Sequence, residues 1–203
     1  MSPWSTYRYV PPIAPEAMIW ATLSFGTFLA AQEFRPVLLG SAIDPLALAF
    51  AVHLALSFAK NVSSDRFQRV FAAAPREATV LLALIAFGLF CLAAYGSAAF
   101  TVTLAVLYFS FHAAVLYLGA TRRPDMLPMM VGTWTSSEPS LPRAVQLEAM
   151  GILLGAMTLL TVWHFAGQFA FAAMLSFGML VLRYFVNWII VLYFFEADDG
   201  YDD

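Results

Sequence analysis

The sequence predicts an all-α protein, a polytopic transmembrane bundle of about six helices. Of its 203 residues, 62% are hydrophobic and only 11% are charged, whereas an ordinary soluble domain carries roughly 25% charged residues. Long apolar runs recur between Glu16 and Glu196, and they have the length, about 18 to 25 residues, that a hydrocarbon core of about 30 Å requires of a helix. The short alternating segments typical of a transmembrane barrel are not seen in the sequence.

The six predicted spans are separated by recognisable breaks. Asp44 and Pro45 fit an N-cap and a first helical position, which accounts for one of the acids. Pro75 suits the start of the third span, and "AYGSAAF" predicts a tight turn before the fourth. The short "FAGQF" segment predicts that the fifth and sixth spans form an antiparallel hairpin. The spans cover approximately residues 16–33, 44–61, 76–96, 99–120, 144–166 and 169–196.

The sequence divides into a terminal segment, a membrane domain and a tail. Residues 1–15 precede the six-helix domain of residues 16–196, and an acidic tail covers residues 197–203. The loop near 62–75 has apolar and basic residues on different sides, which predicts a short interfacial helix. The loop near 121–143 contains four prolines and several methionines, so we expect it to lie against the membrane or to receive a partner.

The distribution of basic residues predicts the orientation, because Lys and Arg accumulate on the cytoplasmic side of a membrane. In a six-span arrangement Arg35 falls on one side, and all the other basic residues except Arg183 fall on the opposite side. Both termini, the two long loops and the acidic tail are therefore expected in the cytoplasm. The alanine-rich, arginine-over-lysine composition favours a bacterial inner membrane. The larger basic set comprises Arg8, Lys60, Arg66, Arg69, Arg76, Arg122, Arg123 and Arg143.

Arg183 is the most informative single residue, because it lies near the middle of the last apolar span. Charged side chains inside a membrane are costly and face protein or water, and they are functional candidates by default. Asn187 lies one helical turn further along the same face and Tyr184 is adjacent, so we expect a small polar patch that contacts a partner or a ligand. Measured from the ends of the predicted span, Arg183 is expected near the membrane midplane.

The group that compensates Arg183 is left open by the sequence. Glu33, Asp44, Glu77 and Glu148 are all expected near the interfaces, so no acid of the chain is predicted to lie level with Arg183. The alternatives are backbone carbonyls with Asn and Tyr side chains, a water-filled cavity, an anionic ligand, or a carboxylate of another subunit.

His53 and His112 are both predicted near the midplane, on the second and fourth spans. Two imidazoles at equal depth on different helices would suit a b-type haem, although buried or interfacial histidines are the more common case. No metal is otherwise predicted, since the chain has a single cysteine, Cys91, and His164 is expected at an interface. Gly151, Gly155 and Gly178 predict close helix packing, within the bundle or with a second subunit.

The motifs of common enzyme classes are not found, including phosphate-binding loops, zinc-protease helices and nucleophile elbows. Basic residues are few and scattered, which does not favour nucleic-acid binding. The sequence therefore predicts a non-catalytic membrane subunit or accessory protein, which contacts the bilayer and either other membrane subunits or further copies of itself. The alternatives are a small transporter or channel for an anionic or weakly polar solute, and a membrane redox protein with bis-histidine haem.

Overall fold

A computed structural model describes residues 13–38, 40–62, 68, 71–122 and 141–198 of the chain. Over these residues the fold is almost entirely helical, as predicted. The helices are α1 (Pro15–Phe34), α2 (Pro45–Val62), α3 (Pro75–Tyr95), α4 (Ala98–Arg122), α5 (Leu141–Ala173) and α6 (Met179–Asp198), with a π-helical turn at Met174–Gly178 and two short strands, β1 (Val37–Leu38) and β2 (Ser41–Ala42).

Some predictions concern parts of the chain outside the described residues. These parts are residues 1–12, residues 63–67 and 69–70 of the first long loop, residues 123–140 of the second, and residues 199–203 of the tail. The expected interfacial helix and the methionine-rich loop therefore stay predictions.

Three stretches of the described chain are helical, long and apolar enough to cross a membrane: Pro75–Tyr95, Ala98–Arg122 and Pro142–Leu192. The protein is therefore an integral membrane protein. The third stretch has 51 residues and would be about 76 Å long if straight, more than twice the hydrocarbon thickness of about 30 Å. It is not straight, because it contains a break.

The break lies at Gly167, where φ is 76° and ψ is −167°. This conformation is nearly restricted to glycine, since a Cβ atom would clash with the backbone. After Gly167 the chain turns back and runs alongside the part of α5 that precedes Gly167. Trp163 packs edge-on against Phe171, with ring centroids 6.0 Å apart, and Gly151 lies against Val186. The predicted antiparallel hairpin is confirmed, with its turn inside "FAGQF".

The other helix ends follow from local chemistry. The Asp44 carboxylate accepts hydrogen bonds from the backbone N–H groups of Leu46 (2.9 Å) and Ala47 (3.1 Å), which confirms it as the N-cap of α2. Pro75 begins α3, where its missing N–H costs nothing. The Ser97 hydroxyl accepts a hydrogen bond of 3.2 Å from the N–H of Phe100 and caps α4.

The tight turns share one end of the bundle. Gly96, between α3 and α4, approaches α2 so closely that a Cβ atom there would lie 2.8 Å from the Cβ of Ala47. The β1–β2 hairpin precedes α2, pairing Val37 with Ala42. We call this end, with Gly40, Gly96 and Gly167, the turn end. The opposite end, where α4 ends and α5 begins, is the loop end.

The buried core lies nearer the turn end and joins helices α1 to α5 around Phe28, Phe50 and Phe171, none of which is accessible to solvent. A second, smaller cluster lies toward the loop end, where Leu116 and Ala120 of α4 meet Val145 and Ala149 of α5. Large apolar side chains also cover the outer surface, as expected for helices that face lipid. Extensive contacts join α1 to α2, α4 to α5, and α5 to α6.

Candidate functional site

The candidate site is an ion pair between α5 and α6 in the apolar part of the bundle. The Arg183 guanidinium Nη2 lies 3.2 Å from Oε1 of Glu148. The carboxylate is enclosed, with 6% of its side chain exposed, whereas 58% of the Arg183 side chain is exposed. The pair therefore has a buried acidic member and a basic member that reaches the outer surface.

Two glycines of α5 bring these charges together. A Cβ atom at Gly151 would collide with Val186, and one at Gly155 would lie 2.8 Å from Cε of Met179 and 2.9 Å from Cδ2 of Leu182. Small residues let helix axes approach closely, so α6 lies directly on this face of α5. The face is consequently occupied within the chain and is not free for a second subunit.

The expectation that no acid of the chain lies level with Arg183 is wrong. Counted from the turn at Gly167, Glu148 lies 19 residues before and Arg183 lies 16 residues after, a difference in depth of about 4.5 Å. An arginine side chain spans that distance. The similar depth of Glu148 and Arg183 can be found in the sequence when residues are counted from the hairpin turn. It is missed when depth is counted from the ends of each apolar run.

The same count from Gly167 gives a different expectation for the depth of Arg183 in the membrane. Its position is about 24 Å along the helix from Gly167, in a hydrocarbon core of about 30 Å. If the turn lies at one interface, Arg183 is nearer the opposite one. The sequence-based depth was different because α6 continues to Asp198, well beyond the length that the membrane requires.

A third titratable group lies near the pair. His112 of α4 is exposed and is within electrostatic range of both Glu148 and Arg183; its ring stacks on Tyr108, with centroids 6.5 Å apart. Toward the loop end, the amide of Gln146 donates a hydrogen bond of 3.3 Å to the Thr121 hydroxyl. Three helices therefore contribute polar groups to this side of the bundle.

The neighbours of Arg183 on α6 have unused hydrogen-bonding capacity. Among the described residues, Oδ1 of Asn187 and Nε1 of Trp188 are buried without a hydrogen-bond partner. Tyr184 is half-buried and packs edge-on against Phe185, with ring centroids 6.4 Å apart. A void of about 20 Å³ lies between Glu148, Arg183 and the glycine face, which is room for about one water molecule.

The two predicted midplane histidines lie at different depths. Since Gly96 and Ala47 are in close approach, depth on α2 and α4 can be counted from the same level. His53 then lies about 9 Å and His112 about 24 Å along its helix. His53 stacks on Phe50, with centroids 6.3 Å apart, and its Nδ1 has no hydrogen-bond partner among the described residues. A separation of about 15 Å does not favour one haem iron bound by both rings, because each Fe–N bond is short.

Gly178 belongs to the π-helical turn, and a Cβ atom there would collide with the Met174 side chain of the same turn. Gly178 therefore packs closely against its own turn and not against another helix. Across the described residues, no group of three or more His, Cys, Asp or Glu side chains is placed to hold a metal ion.

Comparisons with protein-family models, curated proteins and solved structures find no match to this chain. The role of the Arg183–Glu148 site is therefore inferred from its geometry.

Proposed function

We propose that the protein is a non-catalytic integral membrane subunit that docks on a partner through the exposed side of Arg183. One observation carries the proposal: more than half of this arginine side chain remains exposed, although its ion pair reaches into the bundle. A guanidinium has five N–H donors in a fixed planar fork, and the contact with Glu148 uses one side of it.

The surroundings of Arg183 favour an interface between proteins. The outer surface of α6 is otherwise apolar, and Val181 and Phe185, on a different face of the helix from Arg183, are 49% and 50% exposed. An exposed charge on such a helix is costly against lipid tails, whereas a partner helix carrying a carboxylate would satisfy the charge. His112, exposed on α4 and within electrostatic range of Arg183, provides a further polar group nearby. The glycine face is already covered by α6 and is not free to dock a partner.

We also propose that the chain crosses the membrane six times. The alternation of helix ends between the turn end and the loop end supports six spans, and Arg76, Arg122 and Arg143 near the loop end support a cytoplasmic location for that end. The termini would then both be cytoplasmic. Composition supports a bacterial inner membrane.

The test compares complexes purified with the tagged chain in polymer discs, without detergent extraction. Arg183→Gln removes the charge but keeps a hydrogen-bond donor for Glu148, while Arg183→Lys keeps the charge. Val181→Ala is the matched control, since it changes an exposed residue of the same helix on a face that points about 160° away from Arg183. We expect native mass spectrometry to show a stoichiometric companion with the parent chain, Arg183→Lys and Val181→Ala, and about a tenfold smaller amount with Arg183→Gln, the ratio that corresponds to about 1.4 kcal/mol.

Equal amounts of companion in all four samples would contradict the docking role of Arg183. A chain without any stoichiometric companion would contradict the subunit proposal itself. In that case anion flux into vesicles that depends on Arg183 would favour the transporter alternative.

A further inference from the structure

A separate feature lies on the other side of α4, where α3 and α4 diverge. The two helices are joined by only two residues at the turn end, yet the extensive contacts of α3 are with α2 and not with α4. The space between them is a cavity of about 740 Å³, backed by α2 and lined mainly by apolar side chains. It is open at Gly88, where an added Cβ atom would have no neighbour within 4 Å.

The groove is about as long as one leaflet of the bilayer is thick. Its lining begins at Tyr95 and Gly96 and extends to Ile85 on α3, Phe58 on α2 and Tyr108 on α4. Each of these last three residues lies about 16 to 18 Å from the turn end along its helix. Half of a hydrocarbon core of about 30 Å is about 15 Å. The groove therefore spans one leaflet of the bilayer and ends near the midplane.

The length of the groove also favours a flexible chain over a partner helix. A transmembrane helix needs the full membrane thickness of about 30 Å, whereas the groove ends after about 17 Å. An alkyl chain is only about 4 to 5 Å across, given carbon contact distances of about 4 Å.

We propose that this groove holds an acyl tail of a phospholipid from the leaflet at the turn end. An empty groove would deprive its walls of van der Waals contacts, and a flexible tail that spans one leaflet restores them. Tyr95, 61% exposed at the mouth of the groove, lies where an aromatic side chain with a polar end contacts lipid headgroups. The tail is thus a resident lipid, distinct from those that exchange along the outer surface.

The test uses vesicles of phosphatidylcholine and phosphatidylglycerol with a trace of phosphatidylcholine whose acyl chain carries a diazirine near its middle. After illumination, adducts are mapped by mass spectrometry. Gly88→Phe fills the groove, and Gly26→Phe is the matched control, because Gly26 on α1 also has no neighbour within 4 Å of an added Cβ atom but lies away from the groove. Thermal unfolding verifies that both variants are folded.

We expect adducts on the groove residues Leu89 and Leu104 to exceed those on Leu23, an exposed residue of α1. Gly88→Phe should reduce the groove adducts about tenfold, equivalent to about 1.4 kcal/mol of binding free energy, and Gly26→Phe should leave them unchanged. Should Gly88→Phe fail to fold, alkylation of Cys91 with N-phenylmaleimide fills the same groove in the folded parent protein, which has no other cysteine.

Groove adducts no more frequent than those on Leu23 would mean ordinary surface lipid and would overturn the proposal. Unchanged adducts after the groove is filled would overturn it equally. Protection of the groove from labelling by a second copy or another chain would assign it a different occupant.

Discussion

Removing Arg183 from the Arg183–Glu148 pair should destabilise the protein more than removing the Glu148 charge. Arg183→Leu leaves an enclosed carboxylate without a counter-charge, and breaking a buried pair in this way costs about 3 to 5 kcal/mol. Glu148→Gln leaves an arginine that is 58% exposed and can turn outward, so we expect a smaller loss, about 1 kcal/mol. The double variant should be more stable than Arg183→Leu alone, because it no longer buries an unpaired charge.

The interaction energy can be bounded from the distance. Two unit charges 3.2 Å apart attract by about 5 kcal/mol at an effective dielectric constant of about 20 and by about 1.3 kcal/mol in water. Because Arg183 reaches the surface, we expect a coupling energy near the lower value, about 1.5 to 2 kcal/mol.

The assay is a double-mutant cycle on reversible unfolding in mixed micelles, with SDS as the denaturant and Arg183→Lys as the charge-retaining control. Each single variant gives a free energy of unfolding, and the double variant gives their coupling. Two results would refute the interpretation of the pair as a buried acid held by a surface arginine. One is that the losses in free energy of unfolding are additive; the other is that Glu148→Gln loses more than Arg183→Leu.

Three further predictions concern the fold and use the same unfolding assay. Gly151→Ala should destabilise the protein by about 1 to 3 kcal/mol through collision with Val186, and Val186→Ala should relieve part of that loss; a neutral Gly151→Ala would contradict the close packing of α5 and α6. Gly167→Ala should cost about 1 to 3 kcal/mol because of its backbone conformation, and a stabilising effect would argue for a continuous helix. Asp44→Ala should cost about 1 kcal/mol by removing the N-cap of α2, while Asp44→Asn, which keeps an acceptor, should cost less; equal losses would show that the cap bonds are unimportant.

The helices themselves were largely predictable from the sequence. Long apolar runs, the Asp44 cap, the proline at position 75 and the short "FAGQF" turn are local signals, and the helices begin and end within a few residues of the expected positions. Such signals suffice because each backbone polar group in a membrane helix is satisfied within its own segment. The orientation, the number of membrane spans and the function stay predictions.

The pairing of side chains was decided only by the tertiary structure. Whether Glu148 reaches Arg183, and whether His53 and His112 share a depth, depends on the register between helices, which the Gly167 turn and the Gly151 contact determine. The divergence of α3 from α4, which opens the groove, likewise has no local signature. The sequence by itself determined which segments are helical and apolar; only packing decided which polar groups meet, because depth is a relation between helices and not a property of one.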